Sequence, residues 1–151
     1  MEFIVKPIGF VQASIKDTVD ANWGATTSKI ILHDEYRNGI IGLSEFSHVL
    51  VITWLDRAKF ELERHIVRKP QGREDMPLVG IFSQRAKDRP NPVGVTSVRL
   101  LAAAEGIITV GGLDAIDMTP VIDIKPYYPQ YDKVDSPVVP EWVGRLMAGY
   151  F

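Results

Sequence analysis

The stretch FSQRAKDRPNPVGVTSVRL, residues 82–100, has two prolines separated by one residue, then a glycine, then a run of β-favouring residues. Each proline fixes its own φ and holds the residue before it, Arg89 or Asn91, in an extended conformation. Gly94 permits close backbone approach or a positive φ. The stretch therefore predicts a rigid corner that leads into a β-strand and is ordered before any ligand binds.

Strand-like segments extend from this corner in both directions along the chain. They are short, rich in Val, Ile and aromatic residues, and bounded by Gly, Pro or Asp. The seven segments are 3–13, 29–36, 48–55, 78–84, 95–103, 107–113 and 121–127. Because the long helices that parallel strands require between them are missing, the pattern predicts an all-β fold. We expect one small, closed or nearly closed β-barrel, a single domain over residues 1–151.

Helix signals are sparse. One turn is predicted near residue 44, with Ser44 as its cap. A short helix is predicted close to the end of the sequence, with Pro140 near its start. Its apolar stripe consists of Val143, Leu146, Met147 and Tyr150.

Composition limits the classes of protein to which the chain can belong. The chain has 151 residues, 46% of them apolar and 24% charged, which is typical of an ordinary globular domain. The absence of cysteine excludes disulfides and thiolate metal sites. The start, MEFIVKPIGF, lacks the layout of a signal peptide, and no apolar run is as long as a membrane helix. These features predict a soluble, cytoplasmic protein.

Positive charge is concentrated in one segment. The formal net charge is −2, yet residues 57–89 contain nine of the 17 Lys and Arg and five acids, a local excess of 9 − 5 = +4. A cationic segment on an acidic body favours a localised anionic partner such as phosphate or RNA. The alternative is a solvated loop.

Two groups of polar residues are candidates for a binding site. Arg85 follows a predicted strand, where its guanidinium can hold a carboxylate or phosphate bidentately; the alternative is a stiff corner with exposed charges. In GGLDAIDMTPVIDIKPYYP, residues 111–129, Asp114, Asp117 and Asp123 surround Thr119 and Pro120. These acids can accept hydrogen bonds from a ribose or an amino group, or they can organise the turn. No familiar metal spacing is complete, so no metal is predicted.

Several enzyme classes lack their motifs here. The sequence has no G-x-S-x-G, Walker or H-E-x-x-H motif, and its three histidines are scattered. The segment VGGLD follows a predicted strand, but it lacks the G-x-G-x-x-G pattern of a Rossmann nucleotide site.

Taken together, these stretches resemble the TrmO family, also called YaeB-like or TsaA-like proteins. The carrying motifs are FSQRAKDRPNPVGVTSVRL and LDAIDMTPVIDIKPY, with IGFVQ and GLSEFSHVLVITWL in the expected order before them. The resemblance implies a β-barrel methyltransferase that uses S-adenosylmethionine, works as a homodimer, and methylates N6 of threonylcarbamoyladenosine beside the anticodon of tRNA.

The resemblance also implies site residues. Cofactor contacts are expected from Arg85, Val95, Asp114, Ala115, Ile116, Asp117, Thr119, Pro120, Asp56 and Arg57, with Asn22, Trp23 and Gly24 of the early loop as weaker candidates. Substrate contacts are expected from Arg89, Arg68 and Lys69. Asp117 is the candidate general base, since an amide-like N6 is a poor nucleophile; a purely structural role is the alternative.

The sequence departs from the family pattern at three places. Met118 replaces the usual glycine of the D-G-T-P turn, and because methionine adopts positive φ only at a cost, we expect this turn or its pocket to be altered. The early loop reads VDANWGATTSK. Longer members carry an extra C-terminal domain, and we expect none here. Two alternatives follow: a methyltransferase of the same fold that acts on a small molecule, and a cofactor-binding protein without catalysis.

Overall fold

A computed structural model describes residues 1–17 and 19–151. Within them the strands are β1 (Gly9–Gln12), β2 (Thr27–Leu32), β3 (His48–Trp54), β4 (Val67–Arg68), β5 (Val79–Gly80), β6 (Val93–Ala104), β7 (Ile107–Gly111) and β8 (Pro120–Pro126). Six of them close a barrel in the order β1-β2-β7-β6-β3-β8, with every neighbouring pair antiparallel. Strands β4 and β5 form a separate two-stranded sheet. The predicted all-β barrel is confirmed.

The helices are short. The α-helices of the described residues are α1 (Leu62–His65), α2 (Pro129–Asp132) and α3 (Glu141–Met147). Single 3-10 segments are Trp23–Ala25, Asp34–Ile40, Leu43–Glu45, Pro70–Gly72 and Ile81–Ser83. No helix in this part of the chain is long and apolar enough to cross a membrane. The predicted short helix near the end of the sequence is α3, and Pro140 occupies its N-cap.

The core fills the interior of the barrel. Side chains along a strand alternate between its two faces, so every second residue of β3 points inward. Val49 and Val51 are fully buried in this way. They pack with apolar residues of the other strands and of the loop after β7, namely Val11, Ile30, Leu32, Val98, Ile108, Val110, Leu113, Ala115 and Val121. A filled interior makes this barrel a packed core and not a channel.

Strand β6 pairs with two neighbouring strands, β3 and β7, because it is long and irregular. Its first half pairs with β3, from Val93 opposite Trp54 to Arg99 opposite His48. Its second half pairs with β7, and the register shifts between Leu100 and Ala102. A bulge of this kind bends a strand and lets a small barrel close.

Three sequence predictions about elements were wrong. The predicted strand 78–84 supplies only the two residues of β5, because a 3-10 turn follows at once. The predicted strand 29–36 ends at Leu32, and its last residues enter the 3-10 segment Asp34–Ile40. The predicted strand 3–13 is restricted to β1, since Pro7 lacks an amide for the ladder.

Ser44 does not act as a cap. It lies inside the 3-10 segment Leu43–Glu45, and no side chain caps this segment. Its N-cap is Gly42, whose φ of 83° is in the region that favours glycine.

The loops at one end of the barrel hold the predicted site. Since the strands alternate in direction, β1, β3 and β7 end where β2, β6 and β8 begin. We call this the upper end. It carries residues 13–17 and 19–26 and the loops 55–58 and 112–119, whereas the β6–β7 turn and the segment after β2 lie at the lower end.

We expect Gly9→Ala to lower the free energy of unfolding by about 1–3 kcal/mol, the usual cost of overpacking. Gly9 pairs with both β2 and β8, and a Cβ there would overlap the carbonyl oxygen of Ile31. Gly144→Ala is the matched control, because nothing lies within 4 Å of its added Cβ in α3. The control should raise stability by about 0.5–1 kcal/mol in urea denaturation. Equal effects of the two variants would contradict the described register.

Candidate functional site at the upper end of the barrel

The proline corner, residues 84–92, is held in place by hydrogen bonds from several sides. The Gln84 side-chain amide donates to the carbonyls of Arg68 and Val79 at 3.1 and 3.2 Å. The Arg89 guanidinium donates to the carbonyls of Gln84 and Ala86 at 3.2 and 3.4 Å. These bonds tie the corner to the β4–β5 sheet and close it on itself. The corner is thus ordered without a ligand.

The corner ends where β6 approaches the chain after β3. The Leu55 amide donates to the Pro92 carbonyl at 2.7 Å. At Gly94 an added Cβ would lie 2.5 Å from Thr53 Oγ1. Of the two roles predicted for Gly94, close backbone approach and a positive φ, the structure therefore shows close approach.

Most charges of the cationic segment 57–89 are neutralised within it. The ion pairs are Arg64–Glu61 at 3.4 Å, Lys69–Glu74 at 2.9 Å, Arg73–Asp75 at 2.7 Å, and Asp88 with both Lys87 at 2.9 Å and Arg68 at 3.8 Å. Among the described residues, the cations of this segment without a carboxylate partner are Arg57, Lys59, Arg85 and Arg89. The local positive excess therefore lies on these four residues.

The predicted substrate residues are all engaged in local bonds. Arg68 and Lys69 are ion-paired, and Arg89 donates to carbonyls of the corner. Their contacts stabilise the corner and the sheet beside it, and a role in substrate binding stays a prediction.

Asp114 is the centre of a polar cluster beside β6. Its Oδ1 accepts a hydrogen bond from Thr96 Oγ1, and its Oδ2 accepts one from the Tyr150 hydroxyl at 2.8 Å. The Arg85 guanidinium donates to the carbonyl of Val95, one residue from Thr96. We call these five residues the Asp114 cluster. It places a cation and a carboxylate next to the same short piece of strand.

The Tyr150 hydroxyl is a permanent hydrogen-bond donor in this cluster. Burial, and then the nearby Asp114 carboxylate, raise the pKa of Tyr150 well above its usual value. Both factors disfavour the phenolate, so the hydroxyl stays protonated through the physiological range.

The early loop meets the Asp114 cluster through the segment 149–151. The amides of Asn22 and Trp23 donate to the carbonyls of Gly149 and Tyr150, both at 2.8 Å. At Gly24 an added Cβ would lie 2.6 Å from the Phe151 carbonyl carbon, so only glycine fits there. The structure thus brings the predicted early-loop residues and Asp114 together.

Asp117 belongs to a second group of contacts at the same end. Its carboxylate accepts from the Ala13 amide and from Lys16 Nζ, both at 2.9 Å. These two partners, the amide first, lower the pKa of Asp117. A carboxylate with a lowered pKa is a poor base at neutral pH. The contacts favour the structural alternative, and the role of general base stays a prediction.

Asp56 and Arg57 lie at the edge of this second group. Both are exposed, and Arg57 donates to the Lys16 carbonyl at 3.0 Å. Asp123, in contrast, lies within β8 and pairs with Lys125 at 2.7 Å. Only part of the predicted acidic group therefore faces the upper end.

Four predicted residues, Ala115, Ile116, Thr119 and Pro120, form a wall between the Asp114 cluster and the contacts of Asp117. Ala115 and Thr119 are 4% and 3% exposed, and Ile116 and Pro120 are half-buried. Thr119 Oγ1 donates to the Ile116 carbonyl at 2.8 Å. This buried wall is rigid, which suits a binding surface of fixed shape.

Met118 retains the conformation that favours glycine. Its φ is 67°, its side chain is 58% exposed, and its amide donates to the Val11 carbonyl at 2.7 Å. The Thr119 amide bonds back to the Ile116 carbonyl at 3.2 Å, which closes a four-residue turn with positive φ at its third residue. The positive φ that favours glycine is thus kept with methionine in place, and its bond to β1 offsets a strain of about 1–2 kcal/mol. An altered cofactor pocket stays a prediction.

Sequence reasoning missed Thr96, Tyr150 and Lys16. Thr96 directly follows a predicted contact, Val95, but nothing in the pattern separates it from other strand residues. Tyr150 was assigned to the apolar stripe of α3, yet it lies beyond the end of that helix. Only the fold brings residue 150 back to residue 114.

Other features lie away from this site. A surface cavity of about 300 Å³ is at the lower end, where Arg37 donates to the Glu105 carbonyl at 3.0 Å. Within residues 1–17 and 19–151, no three His, Asp or Glu side chains are grouped to hold a metal ion.

The fold and the site define a class: a closed antiparallel barrel with a preordered polar site between its loops, built without a Rossmann sheet. The tRNA-methyltransferase O N-terminal domain matches residues 19–133. The chain belongs to this family, and the resemblance found in the sequence is confirmed.

Similar proteins and solved structures agree with this family assignment. A "Probable S-adenosyl-L-methionine-binding protein" of Methanothermobacter thermautotrophicus is 42% identical over 89% of this chain and 96% of its own length. The mouse "tRNA (adenine(37)-N6)-methyltransferase" is 37% identical over 63% of this chain but 22% of its own length. A crystal structure of TrmO from Pseudomonas aeruginosa is similar with a TM-score of 0.76 and 27% identity over 94% of this chain. The chain spans 62% of that TrmO structure.

We expect Met118→Gly to raise the free energy of unfolding by about 0.5–1 kcal/mol. Relief of the left-handed strain, about 1–2 kcal/mol, exceeds the entropy that glycine loses on folding, about 0.5–1 kcal/mol. Met147→Gly is the control, since Met147 lies in α3 with helical geometry and should lose stability. Urea denaturation measures both. A loss of stability in both variants would show that no strain is stored at residue 118.

Proposed function

We propose that the protein is an S-adenosylmethionine-dependent methyltransferase that acts on tRNA, with N6 of threonylcarbamoyladenosine beside the anticodon as the methyl acceptor. The observation that carries the proposal is the convergence of Arg85, Asp114 and the early loop at one end of a barrel of the TrmO family. The names of the relatives support the cofactor and the RNA substrate.

The chemistry of the site fits this cofactor. S-adenosylmethionine has a carboxylate, an ammonium group, ribose hydroxyls and an adenine ring. Asp114 uses one lone pair on each oxygen for Thr96 and Tyr150, so further acceptor capacity is left for a hydroxyl or an ammonium group. Arg85 has donors left after its bond to Val95, and these suit a carboxylate.

The protein's contribution to methyl transfer is orientation. Bound there, the cofactor would supply an activated methyl group on its sulfonium. The fixed proline corner and the wall of Ala115, Ile116, Thr119 and Pro120 would hold the reacting groups in line and exclude water. Such alignment can supply about 7–11 kcal/mol of the barrier.

An RNA substrate agrees with the distribution of charge. The unpaired cations Arg57 and Arg85 lie in the two contact groups of the upper end, through Lys16 and Val95. Phosphates of a tRNA loop would be attracted to the same end that holds the cofactor. We further propose that residues 1–151 act as one domain, that the protein is a cytoplasmic homodimer, and that Arg89 and the nearby Arg68 and Lys69 help to bind RNA.

Two alternatives are favoured by particular observations. Arg68 and Lys69 are ion-paired, which agrees with a methyltransferase of this fold that acts on a small molecule. The lowered pKa of Asp117 leaves no evident base at the turn, which agrees with cofactor binding without catalysis.

We expect calorimetric titration to show binding of S-adenosylmethionine by the wild type and at least tenfold weaker binding by Arg85→Ala. Loss of one guanidinium contact worth about 1.4 kcal/mol gives this factor. The control is Arg37→Ala, because Arg37 is exposed at the lower end, where it donates to the Glu105 carbonyl. The cofactor site is refuted if the folded wild type does not bind, and its location is refuted if both variants weaken equally.

Methyl transfer should then be measured with tRNA that carries threonylcarbamoyladenosine and with the same tRNA lacking this modification. We expect mass spectrometry of the nucleosides to show one added methyl group on the modified adenosine only. Methylation of neither tRNA, with binding retained, would favour one of the two alternatives.

A further inference from the structure

The segment Gly149–Phe151 is part of the candidate cofactor site, although no sequence motif points to it. We call it the tail segment. It accepts backbone hydrogen bonds from Asn22 and Trp23 and covers Gly24. Through Tyr150 it reaches the Asp114 carboxylate on the other side. The tail segment therefore joins the early loop to the Asp114 cluster.

The carboxylate of Asp114 is oriented by two donors, one on each oxygen. A single bond from Thr96 would leave the carboxylate free to rotate about that contact. The second bond, from the Tyr150 hydroxyl at 2.8 Å, fixes the plane of the group. The remaining lone pairs of the carboxylate then have a fixed orientation, which is what an acceptor needs in order to bind a ligand in one position.

Docking of the tail segment does not depend on the tyrosine hydroxyl. Its two backbone bonds, both 2.8 Å, involve main-chain atoms only. The preceding helix α3 is anchored separately, since Arg145 donates to the Asp75 carbonyl at 3.0 Å and Arg73 donates to the Arg145 carbonyl at 3.4 Å. Removal of the hydroxyl should therefore free the carboxylate while the tail segment stays in place.

We infer that Tyr150 is a positioning residue for the cofactor: its hydroxyl orients the Asp114 carboxylate that receives a hydroxyl or ammonium group of S-adenosylmethionine. The inference rests on the proposed function, which places the cofactor beside Asp114. Tyr150 acts through the carboxylate and not by contact with the reacting atoms. Its effect should appear in cofactor affinity and not in the rate of the chemical step.

The test is a double-mutant cycle on the affinity for S-adenosylmethionine, measured by calorimetry on the full chain. The variants are Tyr150→Phe, Asp114→Asn and the double variant. We expect Tyr150→Phe to weaken binding about tenfold, and the double variant to bind no more weakly than Asp114→Asn alone. Tyr131→Phe is the matched control, because it removes a tyrosine hydroxyl from a side chain that is 84% exposed in α2.

Two further measurements separate positioning from a structural role. Amide exchange at Asn22 and Trp23 should stay as slow in Tyr150→Phe as in the wild type, since the tail segment remains docked. In a methyl-transfer assay, Tyr150→Phe should raise the KM for S-adenosylmethionine and leave kcat unchanged. If Asp114→Asn fails to fold, Tyr150→Phe and these measurements decide the question.

Several results would overturn the inference. Unchanged cofactor binding by Tyr150→Phe would overturn it. Tighter binding would also overturn it, because it would mean that the tail segment competes with the cofactor. Additive losses in the cycle would show that Tyr150 acts independently of Asp114. Fast exchange at Asn22 and Trp23 would assign the loss to undocking. Absence of binding by the wild type would instead refute the proposed function, and the positioning role with it.

Discussion

Closure of the barrel between β1 and β8 is the constraint on which the rest of the structure depends. These strands are paired only at Gly9–Val121 and Phe10–Pro120, with flanking bonds from the amides of Ile8 and Val11 to the carbonyls of Val121 and Thr119. Gly9 belongs to both pairings of β1, and its close contact is with β2, where an added Cβ would overlap the Ile31 carbonyl oxygen. A closed sheet has no free edge, so its loops are fixed relative to one another by the barrel itself.

Closure also determines the positions of the polar groups at the upper end. The chain after β1 runs directly past the turn before β8, so the Ala13 amide and the Asp117 carboxylate meet 104 positions apart in sequence. The left-handed residue Met118 bonds to Val11 in the same junction. Strain at one turn is thus balanced by the strand pairing that closes the barrel, and a methionine is tolerated where glycine is the easier residue.

The sequence predicts the barrel and most of the site's residues but not how these residues meet. Short segments rich in Val, Ile and aromatic residues, bounded by Gly, Pro or Asp, identify β2, β3, β6, β7 and β8, because these residues favour strands. The pattern fails at residues 78–84, where apolar side chains belong to a two-residue strand and a turn. The Tyr150–Asp114 bond was not predictable, since it joins two irregular segments through the geometry of the closed barrel.

The pairing of charges changes what the cationic segment can do. The local excess of bases predicts a localised anionic partner such as phosphate or RNA, but five of the nine bases are ion-paired with neighbouring acids. Asp88, for example, also accepts a hydrogen bond from the Lys59 amide at 2.9 Å, so its carboxylate stabilises the corner. Since phosphate attraction depends on the number of cations that neutralise phosphates, only the unpaired cations near the upper end contribute strongly. The basic residues of this segment thus divide into five that are neutralised by neighbouring acids, two of which, Arg68 and Lys87, pair with Asp88 of the corner. The other set, including Arg57 and Arg85, has no carboxylate partner among the described residues and can hold an anionic ligand.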